Sequence, residues 1–558
     1  MARLDRLGSA KGVAQIGAAI GREFSHPLLA LVAHLPEPEL AVALDRLIQS
    51  GLLSRQGAPP HATYLFKHAL IQDAAYGTLL REPRRALHTR IAETIETQFP
   101  DIAESQQELL ARHFTEAGLI EKAAHLWGKA GLRSLARSAL VEAEAQLTRA
   151  LAQIDGLAGT PALRREQIKL QIGLANAQMQ TRGYAARDTK ASLEQARTLV
   201  LREEALGEPV EDQFVLFSVL YGFWLTNLVA FDGNTLGELA AEFLAIAKKQ
   251  EANVPLMIGH RLVGTSSVLT GDVAEGRAHL DRAIALYVPS EHRSLATRFA
   301  SDVRVNILAS RSLGLCFLGY PDAARADADH ALRDAREIGH APTLMVALFW
   351  GTLTHLHCRD YATASAQLDE LVALAHEKGT PFWKTLGRIV QGCVLALAGH
   401  ASDTVASIAS SITAYRSTGS SHWMPLCLSI LARGHAQLDH FDDAWRCIDE
   451  ALAAVEATGE RWNEADVHRI TGEIALLSPD RDAAEAQTHF ERAIEIARAQ
   501  QARFWELRAA TSLARLWRDQ GRRVEAHDLL APVYCWFTEG FDTLDLKEAK
   551  ALLDELAS

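Results

Sequence analysis

Four glycines recur at equal intervals along the chain, namely Gly339, Gly379, Gly419 and Gly459. Each follows a helix-forming run, and the four runs read DAREIG, LAHEKG, AYRSTG and AVEATG. A glycine placed directly after a helix adopts the left-handed conformation without steric cost and so ends the helix. A long, regular period of this kind is typical of helical repeats, each of which buries its apolar face against its neighbours. Such an array explains how 558 residues can fold without several separate domains.

Each unit contains two helical segments separated by a polar turn. In the second segment a small, a large and another small side chain follow at i, i+4 and i+7, as in Ala444, Ile448 and Ala451. Residues at these intervals share one helix face, where small side chains let two helices approach closely. The pattern recurs at Ala123, Trp127, Ala130; Ala143, Leu147, Ala150; Gly276, Leu280, Ala283; and Ala486, Phe490, Ala493, and with a larger third residue at Ala364, Leu368, Leu371 and at Ala526, Leu530, Val533.

This pattern resembles the second helix of the tetratricopeptide repeat, which carries A-x3-F-x2-A. The repeats are about 40 residues long rather than the usual 34 or so, and glycine largely replaces the proline that ends a repeat in that family. We therefore predict an all-α, tetratricopeptide-like solenoid of helical hairpins over residues 101–558, whose groove holds a protein partner. A tryptophan restarts the next helix soon after three of these glycines, at Trp383, Trp423 and Trp462, and Trp505 has the corresponding place in the following repeat.

The first hundred residues follow a different pattern. A run of two helices, IGAAIGREFSHPLLALVAHLPEPELAVALDRLIQSG, precedes two strand-like segments, Leu52–Arg55 and Thr63–Phe66, which can pair around the turn GAPPH. A further helix begins directly after Lys67 and His68. This order of elements predicts an N-terminal winged-helix module over residues 1–100.

A winged helix suggests DNA binding, but the charge pattern argues against it. Side chains that read the major groove are mostly Arg, Lys, Asn and Gln. The helix that would enter the groove carries Glu37, Glu39 and Asp45 against the single Arg46. The whole chain has a net charge of −12, from 57 basic and 69 acidic residues. We therefore expect no nucleic acid as a partner.

Several segments resemble bacterial STAND-type signalling ATPases. AAIGREF, LIQSGLL, FKHALIQDAAYGTLL and RRALHTRIAETIE are similar to the winged-helix part of that family. The likeness is closest to members in which a class III adenylate or guanylate cyclase domain precedes the ATPase and a tetratricopeptide tail. The C-terminal LAPVYCWFTEGFDTLDLKEAKALLDEL is similar to the end of that tail.

The resemblance gives His68 a specific role. In related NB-ARC ATPases, a histidine at the start of the corresponding helix contacts the phosphate of bound ADP. The resemblance thus implies that His68 is a nucleotide-phosphate sensor, at a helix N-terminus whose backbone N–H groups favour phosphate. Considered without the resemblance, His68 also fits a histidine that caps its own helix.

The ATPase module itself is not found in the sequence. It requires a P-loop, G-x-x-x-x-G-K-[ST], whose amides and lysine hold the phosphates. The nearest string, Gly259–Ser266, has Thr265 in place of the lysine and lies in a helical pattern. We therefore predict no catalytic residue and no cofactor for this chain alone; ATP or ADP would need a separate ATPase module. The chain is expected to be the C-terminal half of such a protein.

Three further clusters are interpreted as packing or surface residues, and no metal is predicted. His355, His357 and Cys358 diverge on a helix and lack the usual spacing of metal ligands. The acidic turn Asp439–Asp443 is typical of a solvated loop that caps a helix. A basic patch beside His68 is interpreted as a solvated helix face, with a phosphate or an acidic partner as the alternative; it comprises Arg81, Arg84, Arg85 and Arg90.

Cysteine usage and hydropathy indicate the compartment. None of the six cysteines forms a C-x-x-C pair, and all lie in apolar helical segments, so we expect reduced core residues. The longest apolar stretches are too short to span a bilayer, and no signal peptide opens the chain. We expect a cytoplasmic protein with no membrane partner.

Together these features predict a non-catalytic interaction scaffold, or the sensor part of a signalling ATPase or adenylate cyclase system. Two alternatives stay open. In the first, the chain docks in trans on a separate ATPase or cyclase and completes its nucleotide site with His68. In the second, it is a transcriptional regulator that uses the winged helix.

Overall fold

A computed structural model describes residues 7–207, 212, 214–250, 252–479 and 482–558. The chain divides into two compact units, residues 1–134 with 145–170, and residues 135–144 with 171–558. We call them the N-terminal unit and the C-terminal unit. The predicted boundary after residue 100 lies within the N-terminal unit. The division into a winged-helix module and a solenoid at that residue stays a prediction. Residues 1–6 of the predicted winged-helix module lie outside the described residues.

The described residues form 29 α-helices, one short 3-10 helix at Arg293–Thr297 and three strands. Up to residue 205 the elements are α1 Ala10–Ile20, β1 Glu23–Ser25, α2 His26–Ala33, α3 Glu37–Gln49, β2 Leu53–Gln56, β3 Thr63–Phe66, α4 Ala69–Gly77, α5 Arg81–Gln98, α6 Pro100–Ser105, α7 Gln107–Ala117, α8 Ile120–Ala136, α9 Leu140–Ile154, α10 Pro161–Thr181 and α11 Arg187–Ala205. The remaining helices are α12 Val215–Ala230, α13 Gly233–Gln250, α14 Asn253–Thr270, α15 Val273–Ala285, α16 Pro289–His292, α17 Val303–Phe317, α18 Pro321–Ile338, α19 Ala341–His357, α20 Tyr361–Glu377, α21 Pro381–Leu397, α22 Ala401–Arg416, α23 Met424–Gln437, α24 Phe441–Thr458, α25 Glu464–Leu477, α26 Ala483–Ala499, α27 Arg503–Asp519, α28 Arg523–Cys535 and α29 Leu544–Ala557.

The three strands form one antiparallel sheet in the order β1–β3–β2. The predicted hairpin is present, and β2 pairs with β3 so that Leu53 lies opposite Phe66. The sequence patterns do not predict β1, because this three-residue strand offers a single inward side chain, Phe24. The Phe24 ring packs on Tyr64, with 5.8 Å between ring centroids. A Cβ atom at Gly17 would lie 2.6 Å from this ring, so any larger residue there would have to displace the ring.

Within the described residues, no single helix is long and apolar enough to cross a membrane. One bent pair of helices, α2 with α3, meets the criteria of length and composition, with an angle of 118° between them.

The C-terminal unit is an all-α, tetratricopeptide-like solenoid of helical hairpins, as predicted. The four equally spaced glycines have φ between 65° and 78° and follow helices. The small–large–small residues face the neighbouring helix; Ala444, Ile448 and Ala451 on α24 are all buried. The local sequence period thus sets both where each hairpin ends and which face it packs.

Five of the six cysteines are buried as predicted, but Cys535 is exposed. It is the last residue of α28, two positions after the buried Val533. Residues two apart on a helix point to nearly opposite sides, so Cys535 lies away from the packed face.

Successive superhelical turns of the C-terminal unit contact each other directly. The backbone N–H of Ser421 donates to the carbonyl oxygen of Val229 at 3.0 Å, and that of Trp462 donates to Leu269 at 3.2 Å. Side-chain hydrogen bonds also join residues that are 189, 203 and 218 positions apart. Since one repeat takes about 40 residues, one superhelical turn contains about five repeats.

The tryptophans of the repeat pattern fill the space between these turns. Phe317 stacks on both Trp462 and Trp505, with ring centroids 5.1 and 5.5 Å away. Trp423 lies edge-on to Trp462 at 5.6 Å, and all three tryptophans are buried. The groove expected along the solenoid is therefore occupied by the protein's own aromatic side chains over this stretch. Open space remains beside them, in the cavity described next.

Candidate functional site

A cavity of about 350 Å³ lies in the C-terminal unit and reaches His357, whose ring contacts Trp462 and Trp505. Its walls come mainly from α23, α25 and α27, the first helices of successive hairpins, and from the last helix, α29. We call it the charged cavity because nine ionised side chains line it. They are Arg359, Arg433, Arg469, Arg508, Arg515, Asp466, Glu473, Asp545 and Glu548.

One group of these charges lies along α25. The guanidinium of Arg469 donates to Asp466 at 2.6 Å and to Glu473 at 2.5 Å, and the Arg469 and Asp466 side chains are both buried. Burial opposes ionisation of Asp466, but the positive charges of Arg469 and Arg508 outweigh it and hold its pKa below the ordinary value. The intervals of three and four residues place all three groups on one helix face.

A second group joins α27 to α29. Arg508 donates two hydrogen bonds to the carboxylate of Asp545, at 3.0 and 2.9 Å, and a third to the carbonyl oxygen of His357 at 2.8 Å. Glu548 accepts from Arg359 at 2.6 Å and from Arg515 at 2.8 Å. The bidentate contact between Arg508 and Asp545 is strong and directional, and with the two bonds to Glu548 it fixes the walls of the cavity.

The charges of the cavity do not balance. Five arginines face four carboxylates, which leaves one positive charge. The nearby His357 adds none at neutral pH, because burial lowers its pKa to about 3. The excess charge belongs to Arg433 of α23, which forms no ion pair within the described residues, whereas the other four arginines each contact a carboxylate. The cavity therefore suits a ligand with an anionic group.

Sequence reasoning did not predict this cavity, although a signal for it exists. Arg433, Arg469 and Arg508 recur at intervals close to the repeat period. Each lies on the first helix of its hairpin, among mostly apolar residues. A charged residue that recurs at the repeat period on an apolar helix indicates a polar strip on one side of the solenoid.

His68, the predicted nucleotide sensor, is exposed at the N-cap position of α4. Its backbone is extended, with φ −136° and ψ 139°, and its side chain makes no capping hydrogen bond to the helix. His68 therefore holds the N-cap position, but its side chain does not cap the helix. Its carbonyl oxygen instead accepts from the N–H of Ile71 at 3.0 Å.

The basic patch is partly engaged within the N-terminal unit. The guanidinium of Arg84 lies 4.6 Å from the ring centroid of Tyr76 and donates to the carbonyl oxygen of Leu79 at 3.1 Å. Arg85 approaches Glu82 at 3.8 Å. No hydrogen bond among the described residues connects these arginines to His68.

Two of the other predicted clusters lie inside the helical packing. His355, His357 and Cys358 are buried at the end of α19. The P-loop-like string belongs to the regular helix α14, where the buried Thr265 hydroxyl donates to Ser310 at 2.9 Å. The turn Asp439–Asp443 lies at the surface, where Asp439, His440 and Asp442 are exposed and His440 is the N-cap residue of α24.

No family model matches the chain. Among curated proteins, the chain is similar to an uncharacterised protein of Rhizobium meliloti, with 25% identity over 517 residues. The match covers 92% of this chain and 49% of that protein, so the chain spans about half the length of the curated relative.

Among solved structures, the chain is similar to a Rap protein complexed with competence and sporulation factor, with a TM-score of 0.48 and 11% identity. The match covers 68% of this chain and 98% of that chain. It is also similar to a STAND protein with a tetratricopeptide repeat sensor from Pyrococcus horikoshii, with a TM-score of 0.27, 12% identity and coverage of 99% and 65%.

Proposed function

We propose that this chain is a non-catalytic interaction module that senses a partner protein for a signalling ATPase or adenylate cyclase system. The observation that carries the proposal is Arg433, which lines the charged cavity without a counter-ion among the described residues. The other arginines of the cavity are already held by carboxylates, so Arg433 is the group left for a ligand. The sequence resemblance of the first hundred residues to STAND-type ATPases supports the assignment to such a system.

The chemistry of the cavity indicates what the partner presents. Arginine's planar fork of donors matches a carboxylate, from an acidic side chain or a chain terminus. A volume of about 350 Å³ accommodates a short peptide segment and not a folded domain. The buried ion pairs hold the walls in place before the ligand arrives, which lowers the ordering cost of binding. The partner therefore inserts an extended, acidic segment.

Binding of defined peptides tests this function. Two pooled hexapeptide libraries, labelled with a fluorophore and differing only in Asp or Asn at one fixed position, are titrated with the protein and followed by fluorescence anisotropy. We expect the Asp pool to bind more tightly. Arg433→Ala should weaken Asp-pool binding by about tenfold or more, since a hydrogen bond to a charged group contributes about 1.5–3 kcal/mol.

The matched control is Arg388→Ala, which removes an exposed arginine from the neighbouring helix α21 and lies outside the cavity. It should leave Asp-pool binding unchanged. Equal binding of the two pools, or equal loss in both variants, would contradict an anionic ligand at Arg433.

We propose a second candidate function for the N-terminal unit, in which His68 senses a nucleotide phosphate. This proposal interprets the first hundred residues as a winged-helix module. The exposed ring without a capping bond, at the N-terminus of α4, leaves both imidazole and backbone N–H groups for a phosphate. In this role the chain would complete the nucleotide site of an ATPase module in trans.

Calorimetric titration of ADP tests the His68 role. The protein is mixed with a separate STAND-type ATPase module, and ADP is added. Affinity should rise over that of the ATPase module alone, and His68→Ala should remove about 1–3 kcal/mol of the gain. His61→Ala, at another exposed histidine of the same unit, should keep it. Equal affinities for wild type and His68→Ala would rule the sensor out.

A further inference from the structure

The turn between α23 and α24 brings two histidines and an aspartate together. His435 lies in the last turn of α23, His440 is the N-cap residue of α24, and Asp443 lies in its first turn. The backbone N–H of His440 donates to the carbonyl oxygen of His435 at 3.0 Å, and Asp439 takes the left-handed φ of 61° that closes the turn. The two imidazole rings therefore lie side by side, with 6.0 Å between centroids.

The donor atoms are spaced for a shared ion. One donor atom from each of His435, His440 and Asp443 lies within 4.8 Å of the other two. Nδ1 of His435 is 3.9 Å from Oδ2 of Asp443, too far for a hydrogen bond. Zinc bonds to imidazole nitrogen and carboxylate oxygen are about 2.0–2.2 Å long. An ion between these two atoms would therefore span their separation.

The buried nitrogen of His435 provides an independent observation. Its Nδ1 is inaccessible to solvent and has no hydrogen-bond partner among the described residues. Buried polar atoms in proteins are nearly always paired, so an orphaned one needs an explanation.

The surroundings orient the carboxylate and supply negative charge. Nη2 of Arg446 lies 2.7 Å from Oδ1 of Asp443, and Oδ2 is the carboxylate oxygen that faces His435. Such outer contacts are the usual way in which a protein fixes a metal-binding carboxylate. Asp439 and Asp442, in the same turn, outweigh the positive charge of Arg446.

We propose that His435, His440 and Asp443 bind one Zn²⁺ ion, with water as the fourth ligand on the exposed side of His440. Two imidazoles and one carboxylate suit zinc, whereas Mg²⁺ and Ca²⁺ prefer oxygen ligands alone. The ion would fasten the two helices of this hairpin to each other. Acidic residues of the turn alone do not indicate such a site; it depends on His435 from the preceding helix. The equivalent turn two repeats upstream has Thr363 in the place of Asp443 and lacks the same set.

Zinc binding to the purified full chain tests the site, by competition with a chromogenic chelator and by the absorption spectrum of Co²⁺ in place of Zn²⁺. We expect one zinc ion per chain and a cobalt spectrum typical of four-coordinate geometry. His440→Gln and Asp443→Asn should each weaken zinc binding by about 10- to 100-fold or more. Loss of a residue that only orients a ligand already has an effect of that size, and these two residues would bind the ion directly. His440 makes no side-chain capping bond, so His440→Gln should fold normally.

His376→Gln removes an exposed histidine from another hairpin and should leave zinc affinity and the cobalt spectrum unchanged. Equal affinity in wild type, His440→Gln and His376→Gln would overturn the site. A cobalt spectrum of six-coordinate, water-like geometry in the wild type would also overturn it.

Discussion

Replacing Asp545 with alanine should lower the free energy of unfolding by about 3–5 kcal/mol, because it leaves a buried guanidinium without its counter-ion. Arg508 donates two hydrogen bonds to this carboxylate, and side-chain exposure is only 14% for Arg508 and 8% for Asp545. Asp466, the other carboxylate whose charge acts on Arg508, already pairs with Arg469. Chemical denaturation followed by circular dichroism measures the loss.

Two further variants separate the buried pair from ordinary surface charges. Asp554→Ala breaks the exposed pair with Lys550 on the same helix and should leave stability unchanged, since solvent screens such pairs. Arg508→Met combined with Asp545→Leu should recover much of the loss, because replacing both partners leaves no unpaired charge. If Asp545→Ala were as stable as Asp554→Ala, the charged cavity would not have the rigid walls described above.

Acidification from about pH 6.5 to pH 4 should destabilise the protein about as strongly as Asp545→Ala does. Burial lowers the pKa of His113 and His357 to about 3, and that of His340 to about 4. Unfolded histidines take up a proton near pH 6.5, so below that pH the unfolded state binds more protons than the folded state. Each such histidine then lowers the free energy of unfolding by up to about 1.4 kcal/mol per pH unit.

Thermal unfolding across this pH range measures the effect, and the melting temperature should fall steadily as the pH drops. His357→Phe keeps a ring between Trp462 and Trp505 but cannot be protonated, so it should flatten the dependence. His376→Gln, at an exposed site, should leave the slope as it is. Asp302 acts in the opposite direction, because burial raises the pKa of its carboxyl. A melting temperature that stays constant between neutral pH and about pH 5 would contradict the prediction.

The parts of the fold that local sequence determines could be predicted. A glycine after a helix and a small–large–small face act within one hairpin, and the structure has both where the sequence places them. The β2–β3 hairpin was predictable for the same reason. The strand β1 was not, since three residues with one inward aromatic do not form a recognisable pattern and depend on pairing with Thr63–Tyr64–Leu65.

The candidate site could not be predicted, because it depends on residues that the fold brings together from distant repeats. Trp462 and Trp505 suggest only where helices restart, yet Phe317, which stacks on both, comes from several repeats earlier in the chain. Arg433 is ordinary in its own helix, and its lack of a counter-ion becomes visible only beside the paired arginines. His435 and Asp443 likewise belong to different helices, and only the turn between them places their donor atoms together.

The contacts between superhelical turns change how such an array should come apart. When repeats touch only their immediate neighbours, unfolding can begin at one end and advance one hairpin at a time. Here the backbone hydrogen bonds of Ser421 to Val229 and of Trp462 to Leu269 join hairpins that are about five repeats apart. Unfolding of one hairpin therefore also exposes the surface that it contacts one superhelical turn away. The C-terminal unit should behave as a single concerted block that assembles slowly, because its closing contacts join residues far apart in the chain.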